Sequence, residues 1–433
     1  MESGPFTDPL PARDGAASDG PYDILRHRDF SRYLIARFIA ALGQQMLTVA
    51  VGWELYERTR SALALGLVGL TQMVPMVLLI LPAGHVADNY ERKRTILGMV
   101  FLATLSSVGL TLTSAFRGDV RWIYACLFAA GVARTFLWPA SQAFLPQLVP
   151  RQNFSRAVTW NTGAFHLSSV LGPAAGGALI ALTHRAAVVY AINAVATLIC
   201  LGLIALVRSR QAVIPREDMS LASLLAGFRF VYRTKIILGT ITLDLFAVLL
   251  GGATALLPVY AKDILEAGPT GLGILQAGLP LGSVVSAFYL AHRAPLQKAG
   301  LALVRAVILF GLATVGFGLS RSFWFSFAML FLCGAVDNVS VVVRHTLVQL
   351  LTPDEMRGRV SAVNSLFIGT SNELGGFESG FVANLFGPAI GNSIATGAIV
   401  AVVSGGVGTI LVVIATALLW PEIRKYGRLD GAA

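Results

Sequence analysis

Stretches of about 20 residues with almost no charge follow one another along this chain, each long enough to cross a roughly 30 Å hydrocarbon layer as a helix. Inside lipid every backbone N–H and C=O has to be satisfied within the segment, so runs of this length specify helices. They lie at about 30–56, 61–83, 95–114, 120–148, 156–182, 186–207, 236–260, 270–291, 299–318, 323–351, 358–385 and 396–420. The expected fold class is therefore all-α and integral to the membrane, with twelve transmembrane helices and the lipid bilayer as its first partner.

Composition agrees. Of 433 residues, 55% are hydrophobic and only 13% charged, and a mean hydropathy of +0.70 excludes an ordinary soluble globule. A net charge of +10 would suit a nucleic-acid binder, but most of the Lys and Arg fall in alternate links. That asymmetry orients a polytopic protein with its basic links in the cytoplasm. Both termini are then expected to be cytoplasmic, in an inner-membrane protein with no nucleic-acid partner. Cys126, Cys200 and Cys333 are odd in number and lie inside apolar runs. They read as core thiols, with no disulfide framework and no metal site.

The segment 1–28 is expected to be a disordered, then basic, cytoplasmic start. Six spans fill 29–207, a polar connection with six cations and a proline occupies 208–235, six more spans fill 236–420, and 421–433 is a basic tail. The second half repeats the first. An offset of 203 sets Gly131 on Gly334, Pro150 on Pro353, Arg156 on Arg359, Asn161 on Asn364, Gly172 on Gly375 and Gly177 on Gly380; an offset of 204 sets Tyr56 on Tyr260. Matched Pro, Arg and Asn at one spacing are not apolar background. Duplicated six-span units build many secondary transporters, which bind substrate between the halves near the bilayer midplane. The same offset pairs Asp88 with His292, so an acid in the first copy has no counterpart in the second.

The link between the second and third runs reads Gly84-His-Val-Ala-Asp88-Asn-Tyr-Glu91-Arg92-Lys93-Arg94. Three cations mark it as cytoplasmic, but a topogenic signal alone does not require Asp88. The order Gly-x-x-x-Asp-x-x-x-Arg-Lys-Arg resembles the loop signature of the major facilitator superfamily, with Glu91 where that family usually carries glycine. The fifth run contains Gly172-Pro173-Ala-Ala-Gly176-Gly177, which resembles the fifth-span signature of proton-driven exporters in the superfamily. Generic close packing of small residues would give the same pattern. Leu25-Arg-His-Arg-Asp-Phe30, Gly52-Trp53, Gly66-Leu-Val-Gly-Leu70 and Arg357-Gly-Arg-Val-Ser361 make the chain similar to the enterobactin-exporter and macrolide-efflux branch of drug:proton antiporters. The resemblance implies two pseudo-symmetric six-helix bundles, the major facilitator fold, and a gate formed by the 84–94 loop.

Ionisable residues within spans are costly and mark a pathway or a relay. Arg134 and Asp337 are repeat equivalents near mid-depth, and the family fold places their spans on the central cavity. Two pairings are open: Arg134 with Asp337 across the halves, or Asp337 with Arg344 along its own helix. Arg37, Asp244, Glu373 and Glu378 are the other intramembrane candidates. A carboxyl group in a low-dielectric site holds its proton more tightly, which suits a proton carrier. Asp244 ranks first among them and Glu373 second, if arginine neutralises Asp337.

No catalytic constellation, nucleotide-binding loop or cofactor motif occurs in the sequence. The expectation is a non-enzymatic, monomeric, proton-coupled exporter of an amphipathic small molecule, a drug or siderophore-like compound, working by alternating access. A uniporter or importer, or a receptor that keeps the fold without transport, is the alternative.

Overall fold

The computed structural model describes residues 22–208, 221–293, 297–353, 356–390, 393–422 and 427. The expected disordered start (1–21), the first part of the connection (209–220) and most of the tail lie outside them. Among the described residues all regular structure is helical.

The first six spans are α1 (Arg28–Thr59), α2 (Ala62–Asn89), α3 (Arg92–Ala115), α4 (Val120–Phe144), α5 (Phe154–Thr183) and α6 (Ala186–Ala205). Their links are short and their ends are chemically marked. Arg60 and His184 close α1 and α5 in the left-handed conformation, at φ 46° and 54°. The Ser61 hydroxyl accepts the Ala64 amide at 3.3 Å, and Asp119 accepts the Arg121 amide at 2.8 Å. Each satisfies a donor that the first turn of a helix leaves unpaired. Such links force neighbouring spans to run antiparallel. The links richest in Lys and Arg therefore gather at one end of the bundle, the basic end; residues 60–61, 116–119, 184–185 and 265–267 form the far end.

The 208–235 connection is not simply polar: Leu221–Arg233 forms a helix, α7, joined to α8 (Lys235–Leu250) by Thr234 alone. The expected seventh span is broken. After α8 come Gly251-Gly252, a tight turn at Ala253–Leu256, the one-turn α9 (Leu257–Val259) and a wide π turn at Tyr260–Ile264. Adjacent glycines are weak helix formers. Gly252 also presses on Gly375, where a Cβ would lie 2.9 Å from the Ser379 hydroxyl oxygen. The remaining spans are α10 (Gly268–Ala291), α11 (Ala299–Leu319), α12 (Phe323–Leu351), α13 (Arg357–Ile390) and α14 (Ile394–Leu419).

Eleven spans among the described residues are apolar and long enough to cross a membrane. The remaining expected span, the eleventh in chain order, is α13, 34 residues long and interrupted by Glu373, Glu378, Asn364 and Asn372. Its length fits a crossing, and its polar residues set it apart from the other spans. Helices α1–α6 pack among themselves, as do α8 and α10–α14; the extensive seams between the two sets are α2 with α13 and α5 with α10. Under the sequence repeat α2 corresponds to α10 and α5 to α13, so these seams are copies of one another. That is the two-fold arrangement of a duplicated six-helix unit.

The core is divided unevenly. At the far end one apolar cluster takes residues from both halves, including Val49, Ala50 and Leu65 with Leu256, Tyr260 and Leu272. At the basic end the buried clusters are separate, although Leu81 of α2 packs against one of the second half. One is built around Phe30, Tyr33 and Phe144 in the first half, and the others around Leu303 and Leu347 or Ile241 and Val360 in the second.

Candidate functional site

The candidate site is the interface between the halves, and glycine sets how close they come. Gly177 on α5 meets the backbone of Pro269 and Gly273 on α10, and Gly273 meets Pro173 in return. Gly66 on α2 and Gly380 on α13 form the matching contact, where a Cβ on Gly380 would stand 2.8 Å from the Gly66 Cα. The two other glycines of the fifth-span motif face inward. A Cβ on Gly172 would lie 3.0 Å from the Leu42 carbonyl, and one on Gly176 would lie 2.9 Å from the Met46 Cα, both on α1. The motif thus serves two contacts at once, α1 behind and the other half in front.

At the far end a polar cluster joins the halves. The Tyr56 hydroxyl donates to Asp263, and Arg60 donates to the same carboxylate at 3.0 Å. Lys262 stands 3.2 Å from Glu57 and 5.1 Å above the Trp53 ring. None of these residues is among the site residues that the sequence singles out, and Trp53 stands there only as part of the family resemblance. The repeat signal that places Tyr56 on Tyr260 also sets both strings of charge at equivalent helix ends, and would have found the cluster.

Deeper in, Arg134 does not pair with Asp337. Its guanidinium donates to Glu373 on α13 at 3.1 Å and to Gln72 on α2 at 3.4 Å. Gly69 makes this possible by letting the Glu373 backbone pack directly on α2. Arg344 is not the partner of Asp337 either. It forms an ion pair with Asp244 on α8 and donates to the Ser340 carbonyl at 3.3 Å. Both expected pairings for Asp337 are therefore replaced, since Arg134 and Arg344 are each held by an acid from another helix. Asp337 and Asp244 line one small cavity with Ser340, Val248 and Phe310. Among the described residues no hydrogen bond or ion pair reaches Asp337. Asp244, ranked first as a free acid, is the neutralised one. Among the described residues, the neighbouring Ser379 hydroxyl donates to Glu378 at 3.4 Å. Arg37 stands beside Tyr33 and Cys200, within its own half, and its Nε is buried without a hydrogen-bond partner.

The 84–94 segment is mostly helix, because α2 runs on through Gly84 to Asn89 and leaves only Tyr90 and Glu91 as the turn. The Asp88 side chain lies outside what the structure describes, as does that of Arg357, its expected neighbour. The cations bind helix ends. Arg92 donates to the Ala87 and Ala143 carbonyls at 3.3 and 3.2 Å, and Lys93 to those of Ala205 and Val207 at 2.9 and 2.8 Å. Positive charge on otherwise unpaired C-terminal carbonyls favours both partners. Arg94 pairs with Glu91 at 2.5 Å, which gives the non-glycine residue of the motif a role.

The sequence model of the transmembrane secretion effector family matches residues 19–417, nearly the whole described chain. The chain belongs to that family, within the major facilitator superfamily. Similar proteins include the enterobactin exporter EntS of Shigella boydii, 27% identical over 402 residues (92% of this chain and 94% of the relative), and that of Citrobacter koseri, 28% identical over the same shares. Among solved structures, a bacterial homologue of the human lysosomal transporter Spinster matches with a TM-score of 0.70 at 15% identity, covering 94% of this chain and 99% of that one. A peptide-transporter-type (POT) structure matches with a TM-score of 0.72 at 12% identity, covering 92% and 97%. At such identities the likeness concerns the fold. This secretion-effector chain is thus a multi-pass transporter, and the groups named above are where its own chemistry has to be sought.

Proposed function

We propose that the protein exports an amphipathic small molecule across the inner membrane by alternating access, with protons as the coupling ion and the basic end in the cytoplasm. The observation that carries this is the divided core: one cluster packed across the halves at the far end, and separate buried clusters at the basic end, bridged there by Leu81 of α2. Such a division suits a molecule that opens between its halves at the basic end, with the polar Tyr56–Arg60–Asp263 cluster closing the far end. The relatives' printed activity, enterobactin export, supports efflux as the direction. Trp138, exposed one turn from Arg134 on α4, offers an aromatic surface next to a cation.

For coupling, Asp337 replaces Asp244 as the preferred proton carrier. It shares its cavity with a carboxylate already held by Arg344, and it has no cation of its own. Protonation of Asp337 would remove charge from a site where a lone carboxylate is costly. The deciding experiment is flux in proteoliposomes with an imposed pH gradient, run over a panel of amphipathic aromatic compounds. Export that rises with the gradient and is lost in Asp337→Asn, while downhill exchange persists, is the expected result. Flux indifferent to collapse of the gradient would make the protein a uniporter. The loop resemblance adds one further expectation: Asp88→Asn cuts transport while expression stays near normal.

A further inference from the structure

Helix α7 is separated from the membrane-spanning α8 by one residue, so connectivity holds it within about a turn of the water–hydrocarbon boundary. One side of it is packed. Val231 is buried and Phe230 sits against the cluster of Ile237, Ile241, Val360 and Val363. The Phe228 ring meets that of Phe367 on α13, with centroids 5.6 Å apart. Among the described residues the other side is open. Leu225 is 64% and Tyr232 76% exposed, and Arg229 and Arg233 are exposed beside them. At helical spacing Leu225, Phe228 and Tyr232 follow one edge, and Arg229 and Arg233 the next. An apolar edge alongside a basic one, on a helix fixed at the interface, suits acyl chain below and phosphate above.

We propose that the outer face of α7 is a binding surface for anionic phospholipid, with Arg229 and Arg233 on the headgroup and Leu225 and Tyr232 among the first methylenes. Charge selects the occupant. The 208–235 connection carries six cations against two acids, Glu217 and Asp218, and clustered cations next to a span attract anionic headgroups. A soluble partner would need a face standing clear of the bilayer, and the one-residue link to α8 leaves none. Because the Phe228 ring packs at a tilt against that of Phe367, lipid held at α7 also bears on α13, the helix that carries Glu373. The inference does not depend on what is transported.

The test is thermal unfolding of the full-length protein in detergent, titrated with phosphatidylglycerol or phosphatidylcholine. Wild type should gain several degrees in melting temperature from phosphatidylglycerol beyond any gain from phosphatidylcholine. The double variant Arg229→Gln/Arg233→Gln should lose that difference, and Arg229→Lys/Arg233→Lys should keep most of it. Tyr232→Glu, a single exposed change, should reduce it independently. The proposal is overturned if wild type responds equally to both lipids or if the glutamine variant keeps the full difference. It is also overturned if soluble glycerol phosphate alone produces the same shift.

Discussion

Arg134 on α4 and Glu373 on α13 stand 3.1 Å apart, and theirs is the ion pair among the described residues that joins the two halves away from the far-end cluster. The arginine side chain is 64% exposed and the glutamate 17%. A pair so open to solvent contributes about 0.2–1 kcal/mol, so its value to the fold is small. Neutralising either residue should shift the melting temperature little yet reduce flux severely, because the contact must break whenever the halves rearrange. The exchange Arg134→Glu with Glu373→Arg should recover part of that flux. Melting and proteoliposome transport on the same four proteins check this, and a large loss of stability in the single variants would count against it.

Asp244 and Arg344 should behave in the opposite way. Their side chains are only 10% and 11% exposed, and removing one partner strands the other charge in the interior at a cost of about 3–5 kcal/mol. Arg344→Gln alone should lower the melting temperature strongly. Adding Asp244→Asn to it should restore most of the loss, since a neutral pair of similar shape leaves no stranded charge. Equal instability of the single and double variants would mean that Arg344 serves some other partner.

The contrast between these pairs marks what the sequence can and cannot say. The twelve spans, the repeat and the family follow from runs of apolar residues and from matched Gly, Pro and Arg, which report on local chain and on symmetry. Partners do not follow. Arg134, Asp337, Asp244 and Arg344 were all singled out by depth, but depth along a helix leaves rotation about its axis free. It was rotation and the Gly69 approach that gave Arg134 to Glu373. The break in the seventh span was legible in principle as Gly251-Gly252 ahead of Pro258. The run of apolar residues on both sides hid it, because hydropathy averages over such a break.

Glycine offers a test that separates packing from propensity. A Cβ at Gly163 on α5 meets nothing within 4 Å, whereas at Gly177 on the same helix it meets the Pro269 carbonyl. Gly163→Ala should be neutral or stabilising by up to about 1 kcal/mol, the ordinary gain of alanine over glycine in a helix. Gly177→Ala should destabilise by about 1–3 kcal/mol, the range for overpacking, and should reduce transport. Similar effects from the two changes would show that the α5–α10 seam is looser than the geometry implies.

Alternating access requires the halves to separate at the far end during each cycle, and Arg60 with Asp263 allows that to be tested directly. Cysteines at both positions, with Cys126, Cys200 and Cys333 replaced, can be joined across the halves in reconstituted protein by a bifunctional thiol reagent whose two disulfide links are reducible, since an arginine-to-carboxylate contact of 3.0 Å spans more than a direct disulfide reaches. Flux should cease when the cross-link forms and return when it is reduced, while each single-cysteine protein stays active under the same treatment. Full transport with the cross-link completely formed would contradict alternating access through this interface.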